Sequence, residues 1–144
     1  MFFGDYLTLY NKYQGKDSDK TIYKRTYLFG VDYQGAKNVT VTEKGLLSAD
    51  SVKILVPFSV IARGKMYIDP FAYNKLSEIE KEHYYTFRTG DIVVKGIIGF
   101  DITSDKGCIL KDLQNKFDDV SIIKSVIKCD FGSMKMRHFE LEAE

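Results

Sequence analysis

The sequence predicts a mainly β fold: a small antiparallel β-barrel or sandwich with one packed α-helix near residues 107–117. Three observations lead to this prediction. Ten Tyr and ten Phe make up 14% of the 144 residues, and aromatic and β-branched residues suit pleated, half-buried surfaces. Several short segments alternate with the period of a strand. Glycines interrupt the strongest of these segments, as the curvature of a small barrel requires.

The first third of the chain predicts three strands. "DYLTLYNKY" (5–13) alternates, with Tyr6, Thr8 and Tyr10 on one face. "TIYKRTYLFGVDYQ" (21–34) is rich in β-branched and aromatic residues and predicts a strand that is broken or bulged near Gly30. "VTVT" (39–42) predicts a short third strand. Polar loops are expected at 14–21 and 33–38.

The segment "KGLLSADSVKILVPF" (44–58) fits either a short helix or a strand. A helix could begin with Ser48 as its N-cap, but Pro57 would end it after about two turns. The density of β-branched residues favours a strand that ends at Pro57. On that interpretation, residues 48–50 form a turn before the strand.

The middle of the chain predicts a long loop at 59–82, which contains a short strand and a tight corner at Asp69-Pro70. Ser77 and Glu80 have the spacing of a capping box. A turn is expected at 89–91, and "IVVKGIIGFDI" (92–102) is expected to run on as one strand with glycine breaks.

The last third predicts the helix and a hairpin. In "CILKDLQNKF" (108–117), Ile109, Leu110, Leu113 and Phe117 form an apolar stripe with helical spacing. "DVSIIKSVIKCDF" (119–131) and "GSMKMRHFELEAE" (132–144) alternate on either side of a glycine turn, so they are expected to pair as a hairpin. Residues 1–144 are expected to form a single domain, in keeping with their number.

Composition argues against several classes of protein. The chain has 21 Lys and Arg against 20 Asp and Glu, so it lacks the basic excess of a dedicated duplex-binding protein. No segment approaches the roughly 20 apolar residues of a membrane span, and the N-terminus does not resemble a signal peptide. A soluble protein that is made in the cytoplasm is therefore expected.

The sequence contains no pattern that predicts catalysis. His83 and His138 lie far apart, and neither has a second His or Cys at metal-ligand spacing. Nucleophile and phosphate-loop motifs are absent. Cys108 and Cys129 are expected to be reduced thiols, with a single bridge or a redox role as the alternatives. We therefore predict no catalytic, metal-binding or cofactor-binding residues, no cofactor and no enzymatic activity.

The tyrosines are concentrated in the N-terminal 60% of the chain and allow two interpretations. They could pair across strands in the core, or they could form a protein–protein interface, where tyrosine is enriched. From loop placement and residue type, the predicted interface residues are Tyr10, Tyr33, Arg63 and Tyr67.

Four segments together resemble one family. "YLTLYNKY", "KGLLSADSVKILVP", "TGDIVVKG" and "GSMKMRHFELEAE" are similar to segments of minor structural proteins from tailed phages and prophages. These are the head–tail connector proteins, also called head-closure or stopper proteins, and the related tail-completion proteins.

The resemblance implies a β-barrel subunit of a homo-oligomeric ring, a hexamer or dodecamer, in the neck of the virion. Its partners would be copies of itself, the portal or adaptor, and tail proteins, with DNA only as passing cargo and no membrane. The loops 14–21, 33–38 and 59–82 would reach neighbouring subunits or close the channel. The alternatives are a tail terminator, or a non-viral β-barrel module that binds a small ligand or a protein.

Overall fold

The computed structural model describes residues 4–14, 21–42, 45–103, 106–133 and 136–144, with the backbone alone at 36–42 and 45–50. The predicted loop 14–21 therefore lies almost wholly outside the described residues. The strands are β1 (Asp5–Gln14), β2 (Thr21–Thr42), β3 (Gly45–Pro57), β4 (Met66–Tyr67), β5 (Tyr84–Tyr85), β6 (Ile92–Lys95), β7 (Val120–Cys129) and β8 (His138–Ala143). The helices are α1 (Pro70–Asn74) and α2 (Leu110–Lys116), with a 3-10 turn at Glu80–His83.

Six strands close into an antiparallel barrel in the order β1-β2-β3-β8-β7-β6. The β1–β6 pairing closes the barrel, with Leu9 opposite Val93. Each of the six strands contributes at least one buried apolar side chain to the interior: Leu7, Leu9, Leu28, Val31, Ile54, Val56, Val93, Ile123, Phe139, Leu141 and Ala143. The predicted mainly β barrel is confirmed, because these alternating positions meet in one packed core.

Helix α2 covers a second, smaller core. Leu113 is fully buried and packs with Tyr10, Ile92, Val94 and Ile102. Leu110, Leu113 and Phe117 of the predicted stripe therefore face the barrel wall, and the helix is confirmed at Leu110–Lys116. Ile109 precedes the helix and is 41% exposed, so its predicted place in the stripe is wrong. Because β1 contributes to both cores, five consecutive residues from Leu7 to Asn11 are buried.

Glycine conformation decides where two strands bend or end. The β1–β2 register skips Gly30, since Asp5 pairs with Val31 and Tyr6 with Phe29. Gly30 has a φ of 100°, which only glycine adopts without strain, so the predicted bulge is confirmed. Gly96, with a φ of 90°, ends β6, so the predicted break there is confirmed, but the strand does not run on to residue 102.

Strands β2 and β3 are longer than predicted. Residues 33–38 lie within β2 and pair with 49–54 of β3, so the predicted loop at 33–38 is wrong. The same pairing continues through 48–50, where a turn was expected. Polar residues suggested loops here, but the ladder is made by backbone hydrogen bonds, which polar residues form as well as apolar ones.

The segment 59–82 is packed against the barrel over much of its length. Ala62, Tyr73 and Lys81 are buried, and Ile61 exchanges two backbone hydrogen bonds with Phe29 of β2. The short strand predicted here is β4, and Ser77 and Glu80 form their capping box ahead of a 3-10 turn. Asp69-Pro70 begins helix α1. This segment is therefore not a free loop, because its apolar side chains are needed to cover the barrel.

Candidate functional site

A two-stranded ribbon extends beyond the barrel, and we define it as residues 36–42 and 45–51. The pairing of β1 with β2 stops at Val31 of β2, and the pairing of β8 with β3 stops at Val52 of β3. Beyond those positions, the described parts of β2 and β3 pair with each other alone. Both outer edges of the ribbon therefore carry backbone N–H and C=O groups that are free to pair with another chain.

A surface cluster lies on the outer face near the bulge, and we call it the Phe29 patch: Tyr6, Phe29, Ile61 and Arg63. The Tyr6 and Phe29 rings meet edge to face, with centroids 5.4 Å apart. The Arg63 guanidinium lies 4.6 Å from the centre of the Phe29 ring. Tyr6 and Ile61 are 52% and 64% exposed, so solvent reaches both apolar side chains. Tyr and Arg are over-represented among residues that dominate binding energy.

Arg63 has a φ of 47°, so this residue adopts the left-handed conformation. Among the described non-glycine residues, only Arg63 has a positive φ. That conformation costs roughly 1 kcal/mol or more for a side chain with a Cβ. The structure thus places the predicted interface residue Arg63 on the surface, stacked on Phe29.

Tyr10 does not lie at the surface. It is fully buried within β1, and its hydroxyl donates a hydrogen bond to the carbonyl of Phe100. Burial raises the pKa of the Tyr10 hydroxyl. The prediction of Tyr10 as an interface residue is therefore wrong for the folded chain, because the segment after β6 and helix α2 cover this face of β1.

Tyr33 and Tyr67 occupy different environments. Tyr33 lies at the base of the ribbon, in an open groove that Lys95, Asp119 and Glu144 also line. Burial, reinforced by the Asp119 charge, raises the pKa of Tyr33 to about 12. Tyr67 packs its ring 4.5 Å from that of Phe139, in the aromatic part of the barrel core. Tyr33 is thus placed where a partner at the ribbon could reach it, and Tyr67 serves mainly to pack the core.

The segment 59–82 exposes further apolar side chains. It carries four of the ten large hydrophobic residues that are exposed in the described chain: Ile61, Met66, Phe71 and Ile79. The Lys75 ammonium lies 4.2 Å from the centre of the Phe71 ring. Contiguous exposed apolar patches mark interaction sites, whereas single exposed apolar residues are common on protein surfaces.

A buried polar network ties this segment to the barrel. The carboxylate of Asp91 accepts hydrogen bonds from Asn11 Nδ2 (2.7 Å), Lys12 N (3.2 Å) and Arg88 Nε (3.2 Å). Arg88 Nη1 donates to Asn74 Oδ1 of α1 at 2.7 Å. The donor groups of Asn11, Lys12 and Arg88 named here each reach an acceptor, so a structural role explains the network.

A second group of chemically active side chains lies on the outer face of the β7–β8 hairpin. Cys129 and His138 are register partners, and Glu140 follows on the same face as His138. One ligand atom each from Cys129, His138 and Glu140 lies within 4.8 Å of the others. The sequence spacing predicts that His138 bonds locally on its strand, and it does contact the Met136 carbonyl and the Glu140 carboxylate. Cys129 is nine positions from His138 in the sequence but lies opposite it in the strand pairing. Only the predicted hairpin could therefore have indicated this group.

The chain belongs to DUF6751, a family of unknown function, whose match covers residues 3–144. The protein is a mainly β barrel, and the matched residues include all of its strands. No curated protein and no solved structure matches the chain. No described helix is long and apolar enough to cross a membrane.

Proposed function

We propose that this protein is a structural subunit that assembles with copies of itself into a ring at the head–tail junction of a tailed phage, as a connector or stopper between portal or adaptor and tail. The observation that carries the proposal is the ribbon, which leaves the barrel with two open edges. The resemblance of four sequence segments to such proteins supplies the biological setting.

The ribbon supports assembly on energetic grounds. A two-stranded ribbon in water is at best marginally stable, because it lacks a third strand or a covering layer. The ribbon pairs seven residues of β3, Gly45–Ser51, with Ala36–Thr42 of β2. Docking on a neighbour would satisfy the open edges and bury the ribbon. A segment of this kind is therefore better suited to joining subunits than to stabilising an isolated one.

The proposed contact is heterologous. If the ribbon of one copy docks on a different surface of the next copy, each subunit has one donor surface and one acceptor surface. Contacts of that type close into rings when the rotation between neighbours divides a full turn. The exposed side chains of the Phe29 patch and of 59–82 are the acceptor surfaces that the structure offers.

The alternative of a barrel that binds a small ligand receives less support. Apolar side chains from all six strands pack together in the barrel interior. A ligand module usually offers a largely preformed apolar cavity with a few polar groups. A tail terminator would use the same ring-forming surfaces, and its position in the particle would distinguish it.

The test is a ribbon deletion. Gly35 and Val52 are register partners, so an Asn-Gly turn between them can replace residues 36–51 and close the hairpin at the barrel wall. We expect the variant to fold, with a cooperative melt and a far-ultraviolet circular dichroism spectrum that stays β-type and loses only the signal of the deleted strand residues. In a prophage that carries the deletion, induction should yield DNA-filled heads without tails. The double substitution Glu43→Asn with Lys44→Gly keeps the ribbon length and serves as the matched control.

Immunogold labelling and mass spectrometry of purified virions provide the direct readout. The proposal predicts several copies per particle in the neck, and native mass spectrometry should show ring-sized complexes with portal or tail proteins. Absence of the chain from virions, or a normal yield of tailed, infectious particles from the deletion, would overturn it. Labelling at the far side of the tail junction would assign the tail-terminator role instead.

A further inference from the structure

We propose that Cys129, His138 and Glu140 form a binding site for a divalent transition-metal ion, with Zn²⁺ as the best chemical match. The site would fasten the end of the β7–β8 hairpin at which the two strands are joined. This inference stands on the local geometry of the hairpin and does not depend on the assembly function.

The geometry brings three ligands of suitable type together. Cys129 and His138 face each other across the hairpin, and His138 Nε2 lies 3.2 Å from Glu140 Oε1. With zinc bond lengths of about 2.0–2.3 Å, the ligand atoms of a tetrahedral site lie about 3.3–3.7 Å apart. The longest separation between two ligand atoms in the cluster is at most 4.8 Å. A small side-chain rotation would bring these atoms to the separation of a tetrahedral site.

The orientation of the His138 ring selects the nitrogen that would bind the metal. Its Nδ1 lies 2.7 Å from the carbonyl oxygen of Met136, which can only accept a hydrogen bond. Nδ1 therefore carries the proton, and the neutral ring has its lone pair on Nε2. Metal-binding histidines commonly donate their other N–H to a backbone carbonyl in this way.

That tautomer leaves two acceptors facing each other. The Nε2 lone pair of neutral His138 is directed at an oxygen of Glu140 at 3.2 Å, with no hydrogen between them. A metal ion bound between the two atoms would accept a lone pair from each. Lys53 Nζ lies 4.0 Å from the other Glu140 oxygen, Oε2, so it does not occupy this position.

The sulfur of Cys129 supplies the third ligand of the cluster. Cys129 is 9% exposed, and its sulfur lies within the same cluster. A contact between His138 and Glu140 alone would not require a thiol at this position. Thiolate, imidazole and carboxylate together suit Zn²⁺. Binding would release the thiol proton to solvent, and three protein ligands would leave a fourth position for water or for a group from a partner.

The experiment uses Co²⁺ as a spectroscopic probe on the full chain, without a histidine tag, after treatment with a chelator under reducing conditions. One equivalent of Co²⁺ should produce a thiolate-to-cobalt charge-transfer band and the d–d bands of a four-coordinate site. Zn²⁺ should displace Co²⁺ and raise the melting temperature. Cys129→Ser should abolish the charge-transfer band, and His138→Ala should weaken binding by more than about 100-fold, beyond the loss typical of an outer-shell partner.

Matched controls come from the same chain. Cys108→Ser and His83→Ala should leave the spectrum and the affinity unchanged, because neither residue belongs to the cluster. Circular dichroism would show that each variant is folded, and Glu140→Gln offers a conservative third test. No charge-transfer band in the folded wild-type chain, or a band that survives Cys129→Ser, would overturn the proposal and leave only the local hydrogen bonds of His138.

Discussion

Asn11 and Asp91 meet in the protein interior, where Asn11 Nδ2 donates a hydrogen bond to Asp91 Oδ2 at 2.7 Å. Neither side chain contacts solvent to a significant extent, since their exposed fractions are 0% and 1%. Asn11 also bonds the backbone N–H and C=O of Thr86. One amide thereby joins β1 to the residue after β5 and to the turn before β6, and the charge of Asp91 depends on the neighbouring Arg88.

Arg88→Ala should destabilise the protein, and the loss should depend on pH. Burial raises the pKa of the Asp91 carboxyl, and the Arg88 guanidinium acts in the opposite direction. Without Arg88 the folded-state pKa rises further above the unfolded value. Below the unfolded-state pKa of Asp91, the carboxyl is protonated and its contribution to stability is fully present. That contribution is lost as the pH rises through the folded-state pKa, because the buried carboxyl then becomes charged. We expect Arg88→Ala to lower the free energy of unfolding by about 3–5 kcal/mol at pH 7 and by less at pH 5.

Urea denaturation at the two pH values would measure this difference. Lys24→Ala is the matched control, because it breaks the more exposed Lys24–Glu82 pair. That change should alter the free energy of unfolding by about 1 kcal/mol or less at either pH. A loss for Arg88→Ala that is equal at pH 5 and pH 7 would contradict the proposed role of the Asp91 charge.

Tyr73→Phe should stabilise the protein or leave its stability unchanged. The Tyr73 hydroxyl is buried without a hydrogen-bond partner among the described residues. Removing an unsatisfied buried hydroxyl recovers its desolvation cost, about 1–3 kcal/mol at most. Tyr10→Phe provides the contrast, because the Tyr10 hydroxyl donates to the Phe100 carbonyl, and its loss should cost about 1 kcal/mol. Thermal melts that rank the two variants in the reverse order would count against this account.

Gly30→Ala should destabilise the barrel by about 1–2 kcal/mol, because its φ of 100° is strained for any residue with a Cβ. Gly99→Ala is the control, because Gly99 has no positive φ and a methyl group added there would meet no other atom within 4 Å. Chemical denaturation of both variants would show the difference. Equal stability of the two variants would mean that the bulge does not require glycine.

Serine substitutions at Tyr6 and Ile61 should weaken assembly with little effect on folding. Both side chains are more than half exposed, so their removal deletes contact surface rather than core. The melting temperature should change by no more than a few degrees, and incorporation into particles should fall. Ile109→Ser, at the start of α2, is a matched change of an exposed apolar residue outside the Phe29 patch. If the double variant entered particles as efficiently as the wild-type protein, the Phe29 patch would not be part of the interface.

Local sequence periodicity was sufficient to predict much of the fold. The alternation in 119–131 and 132–144 predicted the β7–β8 hairpin, and the apolar stripe around Leu113 predicted α2. Gly30 indicated the bulge. These features depend on residues that are close in sequence, where side-chain period and backbone freedom determine structure directly.

The ribbon, the burial of Tyr10 and the cluster at Cys129 depended on the tertiary structure. The sequence by itself determined which segments alternate and where glycine permits a bend, and it correctly predicted a mainly β fold with one main helix. It could not determine that β1 is covered on both faces, or that Cys129 is opposite His138 next to Glu140. Those facts follow from strand register and barrel closure, which bring residues together through hydrogen bonds between segments that are distant along the chain.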